Sequence, residues 1–385
     1  MYLKVYKTAI ISKRKLSKKG SSIMKLHLIF IGDKFIYNEA LKNYIVRSIS
    51  QKLGAIDSIE FIKQNDNALF LYLEEAFNKE NNVIIITTKQ HFATVGKVVT
   101  TIIQDNQVLK DGMLLPSKAK KFHIDSYLLK YQQVYINVLH IDEGQKLPQL
   151  FLDRYQEKET VHIFEEEQEL LETLLLPIAQ SYNVSFTLTK IVSGWLRVDA
   201  LSQKYGELDN FLTSLKKLLP KKMIASSSVV AYMIGKLAQY DKKITFAESC
   251  TGGLLSYYFT KYNGASQVLD GSLVTYSNVL KENWLAVLEA TLQTYGAVSA
   301  EVVCEMSEGA LSVSDADYAI SISGVAGDGG GTEEKPVGTV YIGVRNAFIH
   351  QEERCFFQGD RNYIQEQSAL YAIKMLILLD KKTFF

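Results

Sequence analysis

Short apolar runs alternate with amphipathic stretches along most of this chain. That alternation confines it to layered architectures of helices on largely parallel strands. From Met24 onward, LHLIFIG (Leu26–Gly32) reads as a buried strand, and the helically spaced stretch after it stops at Gly54. IDSIEFI is a second strand, NALFLYLEEAFNKE a second helix, NVIIITT (Asn82–Thr88) a third strand and QVYINVLHI (Gln133–Ile141) one more. Strand–helix–strand repetition at this spacing requires right-handed crossovers. The pattern restarts near Lys222, with a helix over Ser226–Tyr240, the strand KITFAES and a helix opening in CTGGLLSYYF. Then come the strand GSLVTYS, a helix over Ser299–Ser312, the strand DYAISISGVAG, strands at PVGTVYIGV and around Arg354–Phe357, and a closing helix over Arg361–Leu379.

Between the two series lies an acidic helix, Glu165 to Leu176, ended by Pro177. Two strands that turn at Ser193-Gly194 and a helix ended by Pro220 follow it. The expected organisation is therefore a first domain over 24–170, a small α+β connector over 171–221 and a second domain over 222–385. The length of 385 residues suits two or three domains. Residues 1–23 form a basic extension: the first 25 residues hold eight Lys/Arg and no acid. An upstream start codon would account for it, because the patterned chain begins at Met24; a genuine basic arm is the alternative.

A formal net charge of +1 gives no reason to expect nucleic acid or an acidic membrane as partner. No apolar run reaches the roughly 18 to 20 residues of a membrane span. Cys250, Cys304 and Cys355 lie far apart, without a CxxC or a Cys/His ligand spacing. The spacing predicts neither a disulfide framework nor a zinc site, and it points to a reducing cytoplasm.

Four constellations carry chemistry in the second domain. Glu248-Ser249-Cys250-Thr251-Gly252-Gly253 sits where a strand runs into a helix, a turn that exposes side chains at the sheet edge. Ser249 is a candidate nucleophile and Thr251 a candidate ligand donor, although capping of the next helix explains both as well. Tyr276-Ser277-Asn278 and then Lys281 follow the next strand. No histidine occurs between His162 and His350, so a Ser-His-Asp triad from within this core is excluded. A Ser–Lys dyad remains, provided burial lowers the lysine's pKa. Cys250 is a second possible nucleophile, its helix-terminal position favouring the thiolate. Ser323 to Thr332 holds five glycines in eight residues and suits an anion nest, with Gly324, Gly327 and Thr332 as candidate binding positions. Gly359-Asp360-Arg361 opens the last helix, where Arg361 can grip a phosphate bidentately.

In this order, AESCTGG, VTYSNxxK, GAVS (Gly296–Ser299), SISGVAG…GGTEEKPVGTV and GDR closely resemble the C-terminal domain of the CinA family, over about 140 of the last 165 residues. The resemblance implies a nicotinamide-nucleotide amidase, which converts nicotinamide mononucleotide to nicotinate mononucleotide and ammonia in NAD salvage. It implies that Ser249 and Lys281 are the catalytic pair with Tyr276 beside them. It also implies that Thr251, Gly253 and Asn278 share the pocket and that Arg361 lies near the phosphate. No metal or other cofactor is expected for this chemistry. Asp328 departs from the proline expected in the family's loop. A homodimer or larger homo-oligomer is implied as well.

The first domain resembles the molybdopterin-binding-like domain of two-domain CinA proteins, which can act as a metal-dependent ADP-ribose pyrophosphatase. Ile31-Gly32-Asp33 matches its opening strand and loop, and LLPSKAKKF (Leu114–Phe122) keeps a trace of its pattern. Where the family has TGGLGPTxDD, this chain reads Thr87-Thr88-Lys89-Gln90-His91-Phe92-Ala93-Thr94. The phosphate-admitting glycines and the paired aspartates that would hold a divalent metal are missing. The implied fold is α/β: a three-layer molybdopterin-binding-like domain with a lost or altered site, the connector, and a CinA-type α/β domain. Two other functions stay open, a non-catalytic nucleotide-binding or scaffold protein and a metal-dependent pyrophosphatase with a rearranged site.

Overall fold

A computed structural model describes residues 25–79, 81–152, 157–327 and 329–385. The basic extension over 1–23 and Asp328 lie outside the described residues. The chain divides into two compact units, Met1–Gln156 and Glu157–Phe385.

The first unit is built on a six-stranded sheet. Its strands are β1 (Leu26–Ile31), β2 (Ser58–Ile62), β3 (Asn82–Thr87), β6 (Lys121–His123), β7 (Ser126–Tyr131) and β8 (Val134–His140), while β4 (Gln107–Lys110) and β5 (Met113–Pro116) form a separate hairpin. The order is β2-β1-β3-β8-β7-β6. β1, β2, β3 and β8 run parallel, β7 pairs antiparallel with β8, and β6 pairs antiparallel with β7. β1 and β3 are apolar on both faces because helices cover both sides of them. The expected helix after β1 begins at Glu39, capped by the Asn38 side chain, and stops at Gly54, whose φ of +81° a side-chain-bearing residue adopts only with strain. After β3 the chain runs straight into the helix Lys89–Ile102, capped by Thr88, where the family pattern has a glycine-rich loop.

In the second unit, β9 (Lys158–Phe164), β10 (Val184–Val192), β11 (Trp195–Ser202) and β12 (Met223–Ala225) make an antiparallel sheet in the order β10-β11-β9-β12. The unit thus begins before the boundary expected at 170, since β9 pairs with β11 and β12. The sheet also shares a core with the second domain through Phe164, Val192, Trp195 and Ile224. The acidic helix is corrected too: it spans Gln168–Ser181 and passes through Pro177. Leu171, Leu175 and Ala179 remain buried on one face across the proline. That burial offsets the roughly 3 kcal/mol that an interior proline costs.

The remaining strands are β13 (Ile244–Glu248), β14 (Leu269–Val274), β15 (Tyr318–Gly324), β16 (Thr339–Asn346) and β17 (His350–Phe356), in the order β14-β13-β15-β16-β17. The first three are parallel, β16 pairs antiparallel with β15, and β17 pairs antiparallel with β16. The helices Val229–Gln239, Leu254–Thr260 and Arg361–Leu379 pack on one face. The helices Asn278–Leu285, Glu289–Tyr295 and Ala300–Ser312 pack on the other. Gly309 lets two of these helices touch, because a Cβ there would collide with the Leu285 carbonyl. Among the described residues no helix is long and apolar enough to cross a membrane.

Candidate active site

From β13 the chain crosses to β14 on one side and then to β15 on the other. The strand order reverses at β13, and in open α/β sheets ligands settle in the crevice at the carboxyl ends beside such a reversal. Ser249 is the first residue beyond β13. It is held from both sides: its amide donates to the Ile322 carbonyl of β15 at 2.9 Å, and the Thr275 amide donates to the Glu248 carbonyl at 2.8 Å.

Glu248 decides what the serine does. Its carboxylate is fully buried and accepts from the amides of Gly253 (3.1 Å), Leu255 (3.0 Å) and Ser256 (3.0 Å), and from the Ser272 hydroxyl (3.2 Å). The first turn of the next helix is therefore capped by the glutamate that precedes the serine. The capping explanation for Ser249 and Thr251 does not hold. Gly252 and Gly253, at φ +59° and +97°, make the turn that brings these amides round.

Freed from capping, Ser249 Oγ lies 3.1 Å from Lys281 Nζ. Lys281 belongs to the helix Asn278–Leu285, which Ser277 caps through the Leu280 amide. Its ammonium also donates to the carbonyls of Thr275 (2.8 Å) and Tyr276 (3.5 Å). The residue is 1% exposed, and among the described residues no carboxylate pairs with it. Burial lowers its pKa from 10.5 to about 8.

Cys250 is the contrasting case. It is buried in the core, and burial pushes its thiol up to about 12. The helix terminus expected to favour its thiolate is already engaged by Glu248, so the cysteine-nucleophile option is set aside.

The remaining candidates divide. Thr251 is 3% exposed, and its hydroxyl has no hydrogen-bond partner among the described residues. Tyr276 is 61% exposed, and its hydroxyl accepts from Arg361 Nη2 at 2.8 Å. The Arg361 guanidinium lies against Gly327, where a Cβ would collide with it. Arg361, Tyr276 and Gly327 thus come together. Gln365, one turn on in the same helix, donates to the Cys250 carbonyl at 2.6 Å. Gly324 answers to packing, since a Cβ would meet Val340 Cγ2 at 2.7 Å. Thr332 is spent within its own loop, accepting from the Lys335 amide at 3.0 Å. Asn278 is exposed at the start of the lysine's helix. Sequence reasoning missed the roles of Glu248, Thr275 and Gln365. An acidic residue closing an otherwise apolar strand was the available signal for the first.

At the strand ends of the first unit the carboxylates are engaged one by one. Asp33 accepts from the Gln64 amide at 3.3 Å, Asp125 pairs with His140 at 3.0 Å, and Asp142 pairs with Lys34. No three His, Cys, Asp or Glu side chains converge among the described residues there. These residues do not fit a divalent metal.

Residues 226–379 match the family model described as the CinA C-terminal domain. The chain is 42% identical over 176 residues to a CinA-like protein of Thermosipho melanesiensis, covering 45% of this chain and 44% of that protein. It is 28% identical over 342 residues to a CinA-like protein of Petrotoga mobilis, covering 85% of this chain and 81% of the relative. Among curated relatives matched at 40% identity or above, the chain spans about a third to a half of their length. A solved structure of the competence/damage inducible protein CihA from Agrobacterium tumefaciens is 36% identical, covering 40% of this chain and 93% of that one, with a TM-score of 0.38. Through its C-terminal domain the chain belongs to the CinA family.

Proposed function

We propose that the C-terminal domain is an amidase that hydrolyses the carboxamide of nicotinamide mononucleotide, with Ser249 as nucleophile and Lys281 as base. The observation that carries this reading is the 3.1 Å contact between Ser249 Oγ and the Nζ of a buried lysine without an acidic partner among the described residues. With a pKa of about 8, about a tenth of the enzyme carries neutral Lys281 at pH 7. That Nζ takes the serine proton as Oγ attacks the carboxamide carbon. The amides of Gly252, Gly253, Leu255 and Ser256 are engaged within the protein. Among the described residues the Thr251 amide has no acceptor, and together with the Cys250 amide, which faces only its own thiol, it is available to stabilise the developing oxyanion. The lysine then returns its proton to the departing nitrogen, and ammonia leaves. Water, deprotonated by Lys281, attacks the acyl-serine, and the lysine hands that proton to the departing Ser249 Oγ, which releases nicotinate mononucleotide and restores the serine hydroxyl. The Thr251 hydroxyl is available to a polar group of the substrate. Arg361, steadied by Tyr276, offers the phosphate a bidentate grip.

The test is ammonia release from nicotinamide mononucleotide by the full chain in EDTA, alongside Ser249→Ala and Lys281→Ala. Turnover lost in both variants supports the reading, and a folded wild-type chain without turnover refutes it in favour of a binding or scaffold role. Ser249→Ala that still binds the mononucleotide separates catalysis from binding. Metal-dependent ADP-ribose cleavage by that same variant would restore the pyrophosphatase reading of the first unit.

A further inference from the structure

The second unit brings together a thiol, an imidazole and a carboxylate that the amidase chemistry does not use. Cys304 lies on the helix Ala300–Ser312, and His350 and Glu352 open β17 two residues apart, hence on one face of the strand. One ligand atom from each lies within 4.8 Å of the other two. His350 Nδ1 is 3.1 Å from Glu352 Oε1. Arg345, opposite His350 in the β16–β17 register, places Nη2 3.3 Å from Cys304 Sγ and Nη1 3.2 Å from Glu308.

We propose that Cys304, His350 and Glu352 form a binding site for a zinc-type divalent cation, held by sulfur, imidazole nitrogen and carboxylate oxygen with water in the fourth position. The donor set decides the class of ion. Thiolate and imidazole favour zinc and its neighbours, whereas magnesium and calcium take oxygen donors. The site has an entry path, because the His350 side chain is 58% exposed while Cys304 is half-buried. Burial and the neighbouring Glu352 hold the thiol in its protonated form. The incoming cation displaces that proton to solvent, so occupancy rises with pH. Arg345 competes for the sulfur. It keeps Glu308 as a partner when it yields, so its charge stays compensated. The ligands come from a helix and a hairpin more than forty residues apart, which is why no sequence spacing announced them.

The test is titration of Co2+ into the reduced, metal-stripped full chain, followed by absorption spectroscopy. One ion per chain is expected, with a thiolate-to-cobalt band that Zn2+ abolishes and Mg2+ does not. Cys304→Ser should remove the band, and His350→Ala, at an exposed position, should weaken binding by about tenfold or more. Absence of a thiolate band in the wild type overturns the proposal. So does a band that survives in Cys304→Ser, since it would come from Cys250 or Cys355.

Discussion

Replacing Lys281 by methionine should stop the reaction and strengthen the fold. Lowering the amine from 10.5 to about 8, at about 1.4 kcal/mol for each tenfold in proton affinity, disfavours the native state by about 3 kcal/mol at pH 7. Methionine removes that burden. It leaves the Thr275 carbonyl without its 2.8 Å donor, which costs about 1 kcal/mol. The net gain of about 2 kcal/mol corresponds to a Tm higher by about 6 °C for a unit of this size. The sign with pH follows from the lowered pKa. Between about pH 8 and 10.5 the unfolded wild type binds more protons than the native one, so wild-type stability rises with pH relative to the variant. Thermal unfolding of both proteins at pH 7 and pH 10 reads this directly, and the advantage should close to near zero at pH 10. Turnover of nicotinamide mononucleotide should fall by about 10²–10⁴. A variant less stable than wild type at pH 7, or a gap indifferent to pH, would refute the desolvation argument even if activity were lost.

Wild-type kcat/KM should rise about tenfold from pH 7 to 9 with a midpoint near 8, as neutral Lys281 accumulates; a flat profile would remove lysine as the base. Arg361→Ala should raise KM for the mononucleotide by about ten- to a hundredfold and leave KM for the unphosphorylated nucleoside unchanged; equal effects on both would take Arg361 off the phosphate. Gly309→Ala should force the helix of Lys281 away from its neighbour, costing about 1–3 kcal/mol in urea unfolding together with a drop in kcat. Full retention of both would mean that the helices yield without moving the lysine.

The strands that position the site were legible because they are buried on both faces and so read as unbroken apolar runs, as in Ile244–Glu248 and Tyr318–Gly324. The last helix was legible to its ends, with Asp360 as cap. Strand β9 went unread because its seven residues carry no turn signal and gain their meaning from pairing with β11 and β12, which lie far along the chain. Pro177 misled because its local cost is outweighed by a burial stripe that only the tertiary structure supplies. Within the site, the order of motifs singled out Ser249, Lys281, Tyr276 and Arg361. What it could not supply was the division of labour inside one dipeptide. Glu248 and Ser249 both suit a helix start, and only the turn through Gly252 and Gly253 assigns the amides to one and the lysine to the other.

The helix Arg361–Leu379 spans more than the rim of the crevice. Its first turns hold Arg361 and the Gln365 bond to the Cys250 carbonyl. Farther along, Gln367 and Lys374 donate to the carbonyls of Ile191 and Ser193 in the β10–β11 hairpin, at 3.4 and 3.0 Å. A rigid rod anchored at both places transmits restraint. Occupancy of the serine site is then expected to slow amide hydrogen exchange in the β10–β11 hairpin, and loosening the hairpin should in turn broaden the distribution of serine–lysine distances. The four-stranded sheet between the two series of strands thus acts as a brace on the turn that carries Ser249 as well as a spacer in the chain.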